Sequence, residues 1–86
     1  MPEICRFYGI IVRMYYADHY PPHFHVFYGE YEAIINIETL GIIYGKLPPK
    51  AHSLIIEWAT LYQDLLILDW EKARRFEELD KIPPLE

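Results

Sequence analysis

Apolar and polar positions alternate with a period of two through the first half of the chain. From Phe7 to Tyr16, Ile10, Val12, Met14 and Tyr16 fall on one face and Ile11, Arg13 and Tyr15 on the other. Both faces carry apolar residues, which predicts a central strand or one covered on both sides. The pattern breaks at Ala17-Asp18-His19-Tyr20-Pro21-Pro22, where the prolines fix φ and push the residues before them toward extended geometry. It resumes from His23 to Tyr28, with Phe24, Val26 and Tyr28 on one face and His23, His25 and Phe27 on the other. Gly29-Glu30 predicts a two-residue hairpin turn with glycine supplying positive φ. A third strand is expected over 31–37 and, after a turn at Glu38-Thr39, a short fourth over 40–44.

After Gly45 the period changes. Pro48-Pro49 suits the opening of a helix, and Leu54, Trp58, Leu61, Leu65 and Leu68 then recur at spacings of three and four. Ile55, Tyr62, Leu66 and Trp70 form an adjoining stripe, so the apolar face is wide enough to lie across a sheet. Asp64 or Asp69 could cap a second helix. The expected fold is therefore α+β: an antiparallel three- to four-stranded meander, then one long or two short helices packed on one face. Residues 1–45 form the sheet, 48–77 are helical, and 78–86, with Pro83-Pro84, form an extended tail.

At 86 residues the chain is one domain, and its 52% hydrophobic content is enough for a packed core. A single cysteine, Cys5, excludes an intrachain disulfide and a cysteine-based zinc finger; it reads as a small buried side chain. No stretch has the pattern of a secretion signal or the length of a membrane span. These features predict a cytoplasmic protein without a membrane segment. The net charge is −5, and no segment has the basic excess typical of nucleic-acid binders: residues 30–45 carry three acids and no base, and residues 46–86 six bases against eight acids. Most of the eight tyrosines are expected at sheet edges with their hydroxyls in water.

Candidate chemistry concentrates in His19-Tyr20-Pro21-Pro22-His23-Phe24-His25. Strand alternation puts His23 and His25 on one face, about 6–7 Å apart at their Cβ atoms. Three readings stay open. The histidines can be structural, hydrogen-bonded side chains. They can act on a phosphodiester as base and acid, with His19 and Arg13 assisting, in a metal-independent ribonuclease. They can bind Zn²⁺ through His19, His23 and His25, with Glu32 as a fourth ligand. Separately, Leu65-Leu66-Ile67-Leu68 is apolar all round a helix. Together with Trp70, Arg74 and Arg75 it predicts a surface for a small protein partner or a second copy of the chain.

Several of these stretches also carry a family resemblance. Arg6-Phe7-Tyr8-Gly9-Ile10, Met14-Tyr15, Asp18-His19, Pro21-Pro22-His23-Phe24-His25-Val26 and Tyr28-Gly29 resemble a bacterial family catalogued as a domain of unknown function. So do Gly45-Lys46-Leu47-Pro48, Glu57-Trp58-Ala59, Asp69-Trp70-Glu71 and Ile82-Pro83-Pro84-Leu85-Glu86. The Pro-Pro-His-Phe-His core is the most specific part. Genes of this kind are similar to ones found beside small partner genes in toxin–antitoxin-like arrangements, and some members are labelled DhiT-type toxins. The resemblance implies a small intracellular toxin-like protein with an antitoxin-like partner; the histidine geometry and the resemblance together point to RNA or another phosphate-bearing target. The chain departs from the family pattern at His52, where an apolar or small residue is commoner, and at Tyr20, where asparagine is usual.

Overall fold

The computed structural model describes residues 2–86. Five strands, β1 (Glu3–Phe7), β2 (Ile10–Arg13), β3 (His23–Tyr28), β4 (Tyr31–Asn36) and β5 (Ile42–Gly45), form one antiparallel meander in the order β1-β2-β3-β4-β5. Helices α1 (Pro49–Leu61) and α2 (Gln63–Arg74) follow. The architecture is α+β as expected, with one strand more than the upper expectation.

The difference lies at Tyr8-Gly9. The long strand expected over 7–16 is instead the second half of a hairpin, turned where Tyr8 (φ 49°) and Gly9 (φ 80°) both take positive φ. Phe7 pairs with Ile10 across that turn, the two-residue geometry that matches strand twist. The Gly29-Glu30 turn forms as expected, with Gly29 at φ 56° and Tyr28 paired to Tyr31. At the next turn the Asn36 side-chain oxygen accepts the amides of Glu38 (2.7 Å) and Thr39 (3.0 Å). Gly45 has φ 79° and lies so close to the Glu32 carbonyl that a Cβ there would collide with it.

Register fixes two faces. Cys5, Phe7, Ile10, Val12, Phe24, Val26, Ala33 and Ile35 point inward and are buried beneath the helices. Trp58 of α1 is fully buried among them, 5.6 Å from Phe7 and 6.0 Å from Phe24 between ring centres. Arg6, Ile11, Arg13, His25, Phe27, Glu32 and Ile34 occupy the opposite face, partly or fully open to solvent. Cys5 is buried, and that burial pushes its thiol above the ordinary value.

The helical segment breaks at Tyr62 (φ −117°, ψ 24°), which ends α1 and precedes α2 without a side-chain cap. Neither Asp64 nor Asp69 caps α2: Asp64 lies in its first turn and Asp69 inside it. Spacings of three and four run on across the break, the Tyr62 amide donating to the Trp58 carbonyl and the Leu66 amide to the Tyr62 carbonyl, so one side of the wide expected face is buried and the other is not. Ile55, Trp58, Leu66 and Trp70 enter the core, whereas Leu61, Leu65 and Leu68 face outward at 64%, 40% and 52% exposure. Gln63 ties the junction to the sheet, donating to the carbonyls of Ile37 (2.6 Å) and Glu38 (3.0 Å).

Asp69 is buried. Its Oδ1 accepts the Asp80 amide at 3.0 Å, its Oδ2 has no partner, and burial pushes the carboxyl above its ordinary value despite that amide. The chain then returns to the sheet. The Ile82 amide donates to the Ile4 carbonyl at 2.9 Å, and the Trp58 indole N–H to the Pro83 carbonyl at 2.8 Å. Among the described residues, no helix is long and apolar enough to cross a membrane.

Candidate functional site

β2 and β3 bring Arg13 and His25 opposite each other, and alternation places His23 on the same face two residues earlier. The segment joining these strands folds back over that face. The end of α2 holds it: the Ala17 amide donates to the Ala73 carbonyl (3.2 Å), and Arg74 donates to the Asp18 carbonyl (2.8 Å). The Arg74 guanidinium also lies 4.4 Å from the centre of the Tyr20 ring. The Tyr20–Pro21 bond is cis. Asp18 is thereby directed at the two histidines.

Both imidazoles converge on a single carboxylate oxygen. Asp18 Oδ2 lies 2.9 Å from His23 Nε2 and 3.3 Å from His25 Nε2. Asp18 Oδ1 accepts the His19 amide at 2.9 Å. The other ring nitrogen of His23 donates to the Pro21 carbonyl at 2.7 Å. The His25 ring has Tyr15 edge-on at 4.4 Å, and His23 packs 5.1 Å from Trp70. His25 Nδ1 is buried without a partner, as is Arg13 Nε. The Arg13 guanidinium stands 5.0 Å from the centre of the Phe27 ring.

The electrostatics follow from burial and contact. Burial pushes the Asp18 carboxyl upward, but the His19 amide and the two imidazoles together outweigh it and hold the group below the ordinary carboxylate value. Burial holds His25 below its ordinary value, only partly opposed by its bond to Asp18. With both Nε2 atoms on one carboxylate oxygen, Asp18, His23 and His25 form a single unit.

Not every residue expected at the site is there. Asp18, His23 and His25 offer ligand atoms that all lie within 4.8 Å of one another. His19 is exposed and contributes its main-chain amide rather than its ring, and Glu32 is an exposed residue paired with Phe27. Neither belongs to the expected four-ligand set; Asp18 takes the place assigned to them. The alternation that placed the histidines says nothing of a loop residue, and the Asp18-His19 pair was the only signal of it. Of the expected partner surface, Leu65 and Leu68 are exposed, but Leu66 and Trp70 belong to the core. Arg74 braces the Asp18 loop, and Arg75 pairs with Glu77.

Residues 9–71 match the family model described as a domain of unknown function (DUF4160). The chain belongs to that family. The DUF4160 match takes in β2, the Asp18 loop, both histidines and most of α2, so every member of the three-residue cluster falls inside it. Comparison with curated proteins and with solved structures gives no match. A groove of about 560 Å³ is lined by residues that include Tyr8, Tyr28, Lys50 and Leu54 and shares none with the histidine cluster. The converging titratable groups lie at the cluster and not in that groove.

Proposed function

We propose that this DUF4160 protein is the toxin-like component of a bacterial toxin–antitoxin pair, acting in the cytoplasm on RNA or another phosphate-bearing target. The observation that carries the reading is the pair of imidazoles converging on Asp18 beside Arg13. A face needed only for stability would be served by apolar side chains such as Ile11 and Phe27. Here the fold instead buries most of two imidazoles and a carboxylate, and leaves His25 Nδ1 and Arg13 Nε without partners. Polar groups buried in that way cost stability, about 1–3 kcal/mol for each one left unpaired. The chain is acidic overall, so attraction to a phosphate has to be local. On the same face Arg6 is already held by both oxygens of Glu3, at 3.0 and 2.7 Å. Arg13 makes no ion pair among the described residues, and it supplies that local positive charge.

The test is bacterial growth after induction of the wild type beside a folded variant carrying His23→Ala and His25→Ala. Arrest by the wild type alone is the expected result. Full arrest by both removes the histidine centre from the activity, and arrest by neither removes the toxin reading.

A second observation supports a partner. Leu61, Leu65 and Leu68 make an exposed apolar stripe at spacings of four and three, the pattern of a helix face that docks on another chain. Under this reading an antitoxin-like protein covers it. Leu65→Lys with Leu68→Lys abolishes co-purification with the neighbouring gene product while changing stability by only about 0.5 kcal/mol. Retained association sinks this part alone.

A further inference from the structure

The hydrogen-bond inventory of the cluster closes with an added proton or with a metal ion. The Pro21 carbonyl can only accept, so His23 Nδ1, 2.7 Å away, carries the hydrogen and donates it. The neutral ring then presents a lone pair at Nε2. That lone pair faces Asp18 Oδ2 at 2.9 Å, and an ionised carboxylate is also only an acceptor. Two acceptors at that distance need a cation between them. His25 adds a second ring nitrogen, 3.3 Å from the same oxygen. A proton on each Nε2 would also close the set, with His23 as an imidazolium and His25 as the neutral Nε2–H tautomer whose Nδ1 stays unpartnered. One divalent ion satisfies all three atoms at once.

We infer that Asp18 Oδ2, His23 Nε2 and His25 Nε2 form a three-ligand site for a divalent transition-metal ion. The spacing fits. Ligand bonds of about 2.0–2.2 Å put neighbouring donor atoms roughly 2.8–3.6 Å apart in octahedral or tetrahedral geometry. The two distances to Asp18 Oδ2 are 2.9 and 3.3 Å, and all three donor atoms lie within 4.8 Å of one another. The supporting contacts fit as well. A metal-bound imidazole usually donates its other N–H to a carbonyl or carboxylate, which fixes its tautomer and orientation, and the Pro21 carbonyl does this for His23. The His19 amide holds the second oxygen of Asp18, and Arg74 holds the Asp18 main chain.

Two imidazoles and one carboxylate select an ion of the Zn²⁺, Fe²⁺ or Co²⁺ type. Mg²⁺ and Ca²⁺ prefer all-oxygen shells. Three protein ligands leave at least one position for water or for an anionic oxygen of a target. The inference stands on these contacts and does not depend on the toxin reading.

The experiment uses the full chain without a polyhistidine tag, stripped with a chelator. It is titrated with Co²⁺ followed by visible absorption and with Zn²⁺ followed by calorimetry. The expected result is one equivalent of each ion, with affinity reduced at least tenfold in Asp18→Asn and in His25→Gln. Circular dichroism checks that both variants are folded. Ring-nitrogen NMR of the wild type keeps the test decisive if either variant unfolds: Zn²⁺ should move the Nε2 signals of His23 and His25. Absence of stoichiometric binding overturns the proposal. So does binding that both folded variants retain, or a Zn²⁺ shift confined to His19 or His52.

Discussion

The two faces of the sheet are built from the same strands and do different work. Inward, Val12, Phe24, Val26, Ala33 and Ile35 are fully buried and uniformly apolar. Outward, their immediate neighbours Arg13, His25, Phe27, Glu32 and Ile34 mix charge, imidazole and hydrocarbon, and none is fully buried. A step of one residue along a strand therefore moves from groups that stabilise the fold to groups that can do chemistry. Register is what keeps these roles apart, because a slip of one position would exchange the faces. The hairpin turns at Tyr8-Gly9 and Gly29-Glu30 hold that register side by side at one end of the β2–β3 pair, where Ile10 faces Tyr28.

The largest expected effect tests the inner face. Trp58→Ala removes a fully buried ring and the donor to Pro83, and should cost about 3–5 kcal/mol. A chain of this size has roughly 4–13 kcal/mol in total, so denaturant titration should show most of its stability gone. A loss below about 1 kcal/mol would mean that the inner face is not what holds the fold. Phe27→Ala on the outer face should cost only about 1–1.5 kcal/mol, since that ring is half-buried. It should also leave the Arg13 guanidinium without its aromatic neighbour. If the same titration gave equal losses for the two variants, the division of labour between the faces would fail.

The smallest effect concerns pH and sharpens the comparison through two acids. Asp18, on the outer side, is held below its ordinary value by the partners it has there. Asp69 sits in the core and is pushed above its ordinary value, mainly by burial. Between its ordinary and its raised value, the folded state keeps an Asp69 proton that the unfolded chain has released. The Asp69 contribution to stability therefore falls as pH rises through that window. Asp69→Asn keeps an acceptor for the Asp80 amide and removes this fall, so the Tm of the variant should gain on that of the wild type as pH rises through the window. Asp80 and Lys72 are the charged groups nearest to it, and both remain in the variant. An unchanged curve would show that Asp69 does not titrate in that window.

Much of this was legible in the chain, and the misses have physical causes. Alternation from His23 to Tyr28 fixed the facing of both histidines because a regular strand offers no other choice. β1 was hidden because Ile4 and Cys5 are consecutive and both buried, at an irregularity that shifts the register between Glu3 and Cys5. Tyr8 concealed its turn because a tyrosine rarely takes positive φ. In the loop, periodicity cannot say which of Asp18 and His19 turns inward. The tertiary contacts from α2, through Ala73 and Arg74, settle it. In the stretch expected to meet a partner, Leu65 and Leu68 face outward while Leu66 and Trp70 are buried, because residue type offers two adjoining apolar stripes and does not say which of them meets the sheet.

The closing segment has a consequence for when the molecule becomes itself. Ile4 and Trp58 each wait on a partner supplied by residues 82–83. A nascent chain that has emerged only as far as the end of α2 has a sheet whose first strand lacks its cover and an indole with no acceptor. Joining segments so distant in sequence is entropically slow, and the reward comes only once they meet. The core is therefore finished only after residues 82–83 have been made and have returned to Ile4 and Trp58, and the histidine face is built on a scaffold that is closed by that late tie.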